Sequence, residues 1–362
     1  REAIVMFLLQ PPQVRGTTVF TRLPERFRRS GVRSAWADAN RGGQPTDSFL
    51  EGPVFDTAGN LYVTDIPFGR LFRIDAQGDW TLVAEWDGEP NGAKFLDDRT
   101  LLVTDYRNGL MAVDVTSGAV RPWLDRRNSE RFKGVNDLVF DRRGNLYFTD
   151  QGQTGLHDPT GRLYRLWPSG QLDLLLANVP SPNGVALSPD ERVLWLGVTR
   201  GNQVWRVPLL DDGSVSKVSP FFTSYGPSGP DGLAVDASGR VLVANPGLGI
   251  VWVLNHRAEP ELVLQSCAGA SLTNLAFGGP DRCTLFCTES VSGSVLMANL
   301  DQPGLPIHRP GVLSARGPTH GLALQATCAG GCGAWRRQAP GKPGMPASSC
   351  TPALLSNPDT SR

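Results

Sequence analysis

Six oxygen-bearing side chains recur along this chain at nearly constant spacing. They are Glu51, Asn91, Asn136, Asn183, Asp231 and Asn274, at intervals of 40, 45, 47, 48 and 43 residues. Two carboxylates and four amides offer only hard oxygen donors. Brought to one point, they would suit a cation such as calcium, which takes about 6–8 oxygens and leaves places for water and substrate. Asn or Asp at a strand start is also ordinary turn chemistry, which suffices for Asn91 and Asn274 taken singly. It does not account for Glu51, because glutamate has no special turn preference.

Other chemistries find little support. The four histidines (His157, His256, His308, His320) are scattered, so a site built from several imidazoles is not expected. Six cysteines fall outside any zinc-type pair of CxxC motifs and are too few for a disulfide scaffold; Cys283 and Cys287 share one strand-like run, and Cys328, Cys332 and Cys350 lie in a Gly/Pro-rich stretch. No G-x-S-x-G elbow, P-loop or G-x-G-x-x-G fingerprint occurs.

The elements that would carry the six oxygens repeat with them. The phrase Gly59-Asn-Leu-Tyr-Val-Thr-Asp65 returns as Arg99–Asp105, Gly144–Asp150, Arg192–Val198, Gly239–Asn245 and Cys283–Glu289. Most copies are preceded by a β-like run such as Gly52–Asp56 and followed by another such as Gly69–Asp75. These runs are short, rich in β-branched and aromatic residues, and punctuated by Gly, Asn, Asp and Pro, as strands and hairpins are. Several strands per unit at a period of about 40–50 residues predict a β-propeller. Six units predict six blades, and the residue opening each innermost strand would face the axis.

The expected organisation is an all-β six-bladed propeller over residues 18–300, with blades over about 50–300 and a closing strand near 18–23. Residues 1–17 are expected to be irregular, as is the polar stretch from Pro24 to Asp47. Residues 301–362 form a Pro/Gly-rich tail expected to be largely disordered. Thr319–Leu324 imitates the start of a further blade, with His320 46 residues after Asn274, but no strand phrase completes it.

Composition sets the outer bounds. Of 362 residues, 40% are hydrophobic and 19% charged, with 35 basic and 35 acidic side chains, so a general nucleic-acid or membrane-surface role is not expected. No apolar run approaches the roughly 18 residues of a spanning helix. The run Ile4–Leu9 is short for a secretory signal, which with the lack of a disulfide framework favours the cytoplasm.

The openings Glu51-Gly-Pro, Val135-Asn-Asp-Leu, Pro182-Asn-Gly and Gly229-Pro-Asp-Gly together resemble the gluconolactonase-like family, over roughly residues 18–300. The resemblance implies one calcium near the axis, held by Glu51, Asn136, Asn183 and Asp231, and a small-molecule lactone as substrate. It also implies that Asp231 serves as proton acceptor or nucleophile, and that Asn136 ligates the ion or holds substrate. Sugar-lactonase members carry an arginine two residues before the equivalent of Asn136. Here that position is Gly134, beside Lys133, a departure from the sugar-acid pattern. Asn91, Asn274 and, in the loop Gln151–Thr160, His157 are further candidates for substrate contact. Trp86, Tyr106 and Tyr225 are candidates for the channel mouth, and Asp65, Asp105 and Asp150 are expected to be structural. A monomer or small homo-oligomer without nucleic-acid or membrane partners is expected. A phosphotriesterase using the same site, and a non-catalytic scaffold with a structural ion, are the rival readings.

Overall fold

The computed structural model of the chain describes residues 11–311. Six four-stranded antiparallel units are arranged as blades of a propeller. The first is typical: Leu50–Phe55 innermost, then Leu61–Asp65, Arg70–Ile74 and Trp80–Glu85 outward, each paired to the one before. The other innermost strands are Pro90–Phe95, Val135–Phe140, Pro182–Leu187, Leu233–Val235 and Leu272–Gly278. Each packs on the next, and the sixth packs on the first, so the ring is closed. No helix of the described residues is long and apolar enough to cross a membrane.

Each strand phrase buries its apolar side chains against the neighbouring blade. Six apolar clusters result, one between each pair of neighbours. Val54, Tyr62 and Leu71 of blade one meet Phe95, Leu101 and Val103 of blade two in one of them. Phe286 and Val295 of blade six meet Leu61 and Val63 of blade one in another. A fully buried Phe72, Phe95 or Phe148 contributes on the order of 2–3 kcal/mol by leaving water. Cys287 belongs to this interior, and burial pushes its thiol up to about 12.

The N-terminal flank closes the ring. The strand Thr18–Arg22 pairs antiparallel with Ser294–Asn299 and supplies the outer strand of blade six. Gln13–Gly16, in the segment expected to be irregular, adds a parallel fifth strand to blade five, beside Pro260–Gln265. Its side chains are exposed on both faces, so it carries no alternating pattern for sequence to reveal. Between closing strand and first blade, Ala35–Asn40 forms a short helix.

Residues 301–311 run beneath the channel. Leu305 N–H donates to Val235 of blade five, Arg309 binds Asp98 and the Phe55 carbonyl, and Gly311 N–H donates to Leu96 of blade two. These eleven residues of the tail are thus held against the blades; the rest of the tail, including Cys328, Cys332, Cys350 and the Thr319–Leu324 imitation with His320, lies outside the described residues. Ile4–Leu9 lies outside them as well.

Candidate metal and substrate site

The recurring Thr-Asp of the strand phrases builds the site. Each aspartate accepts the backbone N–H that leads into its own innermost strand: Asp65 from Phe49 (2.6 Å), Asp105 from Glu89 (3.1 Å) and Asp150 from Gly134 (2.8 Å). These donors lie two residues before Glu51, Asn91 and Asn136. The threonine donates to the backbone carbonyl of the next blade's opening residue. Thr64 reaches Asn91 at 2.7 Å, Thr149 reaches Asn183 at 2.9 Å, and Thr104 reaches Asn136. One pair of polar side chains thus pins an axis residue from below and ties its neighbour sideways.

Ladder register then shifts directly after or across the opening residue, between Glu51 and Val54, Pro90 and Ala93, Val135 and Leu138, Pro182 and Val185, and Leu272 and Leu275. A bulge of this kind re-aims a side chain that would otherwise alternate with the pleat. Glycine follows four of the six axis residues for a matching reason. A Cβ on Gly52 would sit 2.1 Å from the Asn91 carbonyl oxygen, one on Gly184 2.3 Å from that of Asp231, and one on Gly232 2.3 Å from the Asn274 side chain. The room left by each missing side chain admits the next blade's opening residue.

The result is a pocket of about 520 Å³ over the channel. Glu51, Asn91, Asn136, Asn183 and Asp231 all reach it. Glu51 is 3% exposed; its Oε2 accepts the Gly52 N–H at 2.8 Å and the Asn274 amide at 2.9 Å. Asn183 donates to Asp231. Asn136 gives its Nδ2 to Gln151 at 2.9 Å while its Oδ1 is buried without a hydrogen-bond partner, and the Asn91 Oδ1 is likewise unpaired. Buried orphan acceptors are uncommon and call for an unfilled partner.

The electrostatics point the same way. Burial, outweighing its hydrogen bonds, pushes the Glu51 carboxyl from 4.5 up to about 7. Asp231 is held well above its usual range by burial first, then by the charges of Glu51 and Asp137. Acidic groups crowded this way favour a proton or a cation between them. Among the described residues no three His, Cys, Asp or Glu side chains form a metal-ligating group. The donors available are instead two carboxylates and amide oxygens, which fit a hard ion and not a soft one.

A family model described as the SMP-30/gluconolactonase/LRE-like region matches residues 49–291. The chain belongs to this family. It is 32% identical to lactonase drp35 of Staphylococcus haemolyticus over 225 residues, covering 58% of this chain and 67% of the relative. Among solved structures it resembles regucalcin of Agrobacterium tumefaciens, described as a calcium-binding protein (TM-score 0.66, 22% identity, covering 82% of this chain and 98% of that one). It also resembles a gluconolactonase of Xanthomonas campestris (TM-score 0.60, 21% identity, 82% and 99%).

In this gluconolactonase-like chain, two of the expected substrate contacts lie elsewhere. His157 is not among the pocket walls. Reciprocal bonds between Gly155 and Asp158 close a tight turn that carries Leu156 and His157 outward, and both are exposed. The same loop serves the site through Gln151, in the pocket wall, and through Gln153, which donates to the Tyr106 hydroxyl at 2.9 Å. Asn274 lies beneath the pocket with both ends engaged, donating to Glu51 and accepting the Leu275 N–H. It orients the Glu51 carboxylate. Of the aromatic candidates, Tyr106 lines the pocket, Trp86 is turned into the blade by its bond to Asp105, and Tyr225 is 74% exposed.

Asp137, 3% exposed, is a third carboxylate at the axis that the sequence reading passed over. A signal was there: the residue after each axis position is Gly, Gly, Asp, Gly, Gly and Leu, and only one is charged. Lys94, in the wall of a second cavity of about 160 Å³ lower in the channel, partly offsets the Asp137 charge. Trp36, Arg41 and Gln44 also wall the upper pocket, from a segment read as merely irregular.

The raised Glu51 carboxyl makes the metal-free protein sensitive to pH. Between about 4.5 and 7 the folded chain holds a proton that the unfolded chain has released, so stability falls as pH rises through that window. The full contribution is about 3 kcal/mol. Thermal melts in chelator should show Tm declining as pH rises from 5 to 7, with a flatter profile for Glu51→Gln. Parallel profiles for the two proteins would overturn this.

Proposed function

We propose that this chain is a calcium-dependent lactonase, with Glu51, Asn136, Asn183 and Asp231 holding the ion. The observation that carries this is the donor set itself: two carboxylates with raised proton affinity and an unpaired Asn136 oxygen at the floor of a pocket sized for a small molecule. The lactonase name of the Staphylococcus relative supports the reaction class, and the calcium-binding description of the Agrobacterium neighbour agrees with the ion.

When bound there, calcium supplies Lewis-acid polarisation of the lactone carbonyl and stabilises the charge that develops on its oxygen. The chain's own residues do the rest. Asn274 and the Gly52 N–H fix Glu51, and Gln151 fixes Asn136, so the donors need no reorganisation. Asp231 is the proton acceptor for the attacking water. A ligating carboxylate is ordinarily a weak base, but burial and the Glu51 and Asp137 charges raise its proton affinity and counter that loss. A single turnover in ¹⁸O-water checks the role: base catalysis leaves Asp231 unlabelled, and label found in Asp231 would show instead that it attacks the carbonyl and is released by water at its own carboxyl carbon.

The deciding experiment is hydrolysis of a lactone panel with and without chelator. Activity should vanish in EGTA and return with added calcium, and calcium should raise Tm. Hydrolysis indifferent both to chelator and to Glu51→Gln would overturn the reading. Phosphotriesters assayed with the same preparation separate the nearest rival.

A further inference from the structure

The charges around the pocket do not balance at its mouth. Its floor holds Glu51 and Asp231, with Asp137 beneath them and Lys94 below that. Three carboxylates, one ammonium and one divalent ion sum to zero. Two further cations, Arg41 and Arg200, wall the same pocket. Neither forms an ion pair among the described residues.

That is unusual for the segment Arg41 comes from. Arg28 pairs with Asp47 at 2.9 Å, Arg29 with Glu85 at 2.6 Å and Arg33 with Asp38 at 2.8 Å. Arg41, half-buried at the end of the short helix, has only the Phe49 ring, 5.7 Å away. Arg200 stands exposed on the turn Thr199–Gly201, close enough to Asp231 for its charge to be felt there. Meanwhile the position two residues before Asn136 offers no cation. A Cβ on Gly134 would lie 2.5 Å from the Tyr106 ring, and Lys133 turns away to Thr160 at 2.7 Å.

We propose that the substrate is a lactone bearing a carboxylate, and that Arg41 and Arg200 recognise that carboxylate at the mouth while the ring ester meets the floor. This rests on the lactonase reading and narrows it to a substrate class. Guanidinium groups suit the task because their planar donors match a carboxylate two at a time.

The test compares 5-oxotetrahydrofuran-2-carboxylate with γ-valerolactone, in which a methyl replaces the carboxylate. The calcium-loaded wild type should favour the anionic lactone by about tenfold or more in kcat/KM, with the preference shrinking as salt rises. Arg41→Gln and Arg200→Gln should each erode that preference by about tenfold, mainly through KM, and Arg200→Lys should restore part of it. Equal losses on both lactones, or no preference in the wild type, would overturn the proposal. A second readout needs no turnover: calorimetric binding of 2-hydroxyglutarate, the ring-opened form of the anionic lactone, to the calcium-loaded protein. If neither these two nor any other lactone of the panel is hydrolysed, the lactonase reading fails. The carboxylate site then stands if 2-hydroxyglutarate binds and the arginine variants weaken it, and falls if it does not bind.

Discussion

Asp231→Asn is expected to lose lactone hydrolysis by about 10²–10⁴-fold and yet to melt at a higher temperature than wild type when both are metal-free. The two effects share a cause. Asparagine keeps the shape and an acceptor for the Asn183 amide, but removes the proton acceptor and half of the carboxylate charge facing the ion. In chelator at pH 8 the same change is favourable. The raised Asp231 carboxyl costs stability at any pH above its unfolded value, because the native chain must either retain a proton that the unfolded chain gives up or hold a charge beside Glu51 and Asp137. Removing that cost should raise Tm measurably. Calcium should stabilise the variant far less than the wild type. A variant that melts lower without metal, or that keeps its turnover, would refute the site. Near-ultraviolet circular dichroism verifies that the loss is chemical and not a loss of fold.

Gly52→Ala should cause the largest loss of stability of any small substitution considered. Its backbone lies at φ +52°, where a side chain is strained, and the added Cβ would meet the Asn91 carbonyl oxygen at 2.1 Å. Backbone on both sides leaves nothing flexible to yield. Strain of about 1–3 kcal/mol adds to the separation of blades one and two and to loss of the Thr64–Asn91 bond. A total above about 4 kcal/mol is expected, readable as a drop in urea midpoint. Gly59→Ala is the control. It also has positive φ, +87°, but nothing lies within 4 Å of its Cβ, so it should lose the strain alone. Equal losses at the two positions would show that inter-blade approach is not what Gly52 provides.

The blade count and the axis residues were legible because each is repeated: a column that recurs six times declares its own geometry. Glu51, Asn136, Asn183 and Asp231 meet in one pocket, as the spacing required. What escaped was whatever occurs once. Asp137 stands where four of the other five blades have glycine, Arg41 directly follows a six-residue helix, and Arg200 comes from a turn whose counterpart in blade one, Ile66–Phe68, carries no charge. His157 was misplaced because loop length shows how far a segment can reach, not which way it turns; the Gly155–Asp158 bridge decided that. The glycines after the axis residues serve contact between blades, which a single strand cannot disclose. Gln13–Gly16 was missed because a fully exposed parallel edge strand carries no apolar alternation.

The outer strand of blade six comes from Thr18–Arg22, whose partners Ser294–Met297 lie more than 270 residues later. During synthesis at about 5–20 residues per second, that early strand waits roughly fifteen to sixty seconds before its mate leaves the ribosome. Throughout the interval the nascent chain carries open edges and uncovered blade faces, the kind of surface on which unfinished β chains associate. Once clasped, no blade of the described residues is made only of consecutive strands at the seam, so unravelling from the N-terminal side strips Gln13–Gly16 from blade five and then tears the seam at Thr18–Arg22. Pulling or proteolysis there should release the circle as a whole, and slow translation near the end of blade six should matter more to yield than slow translation anywhere else.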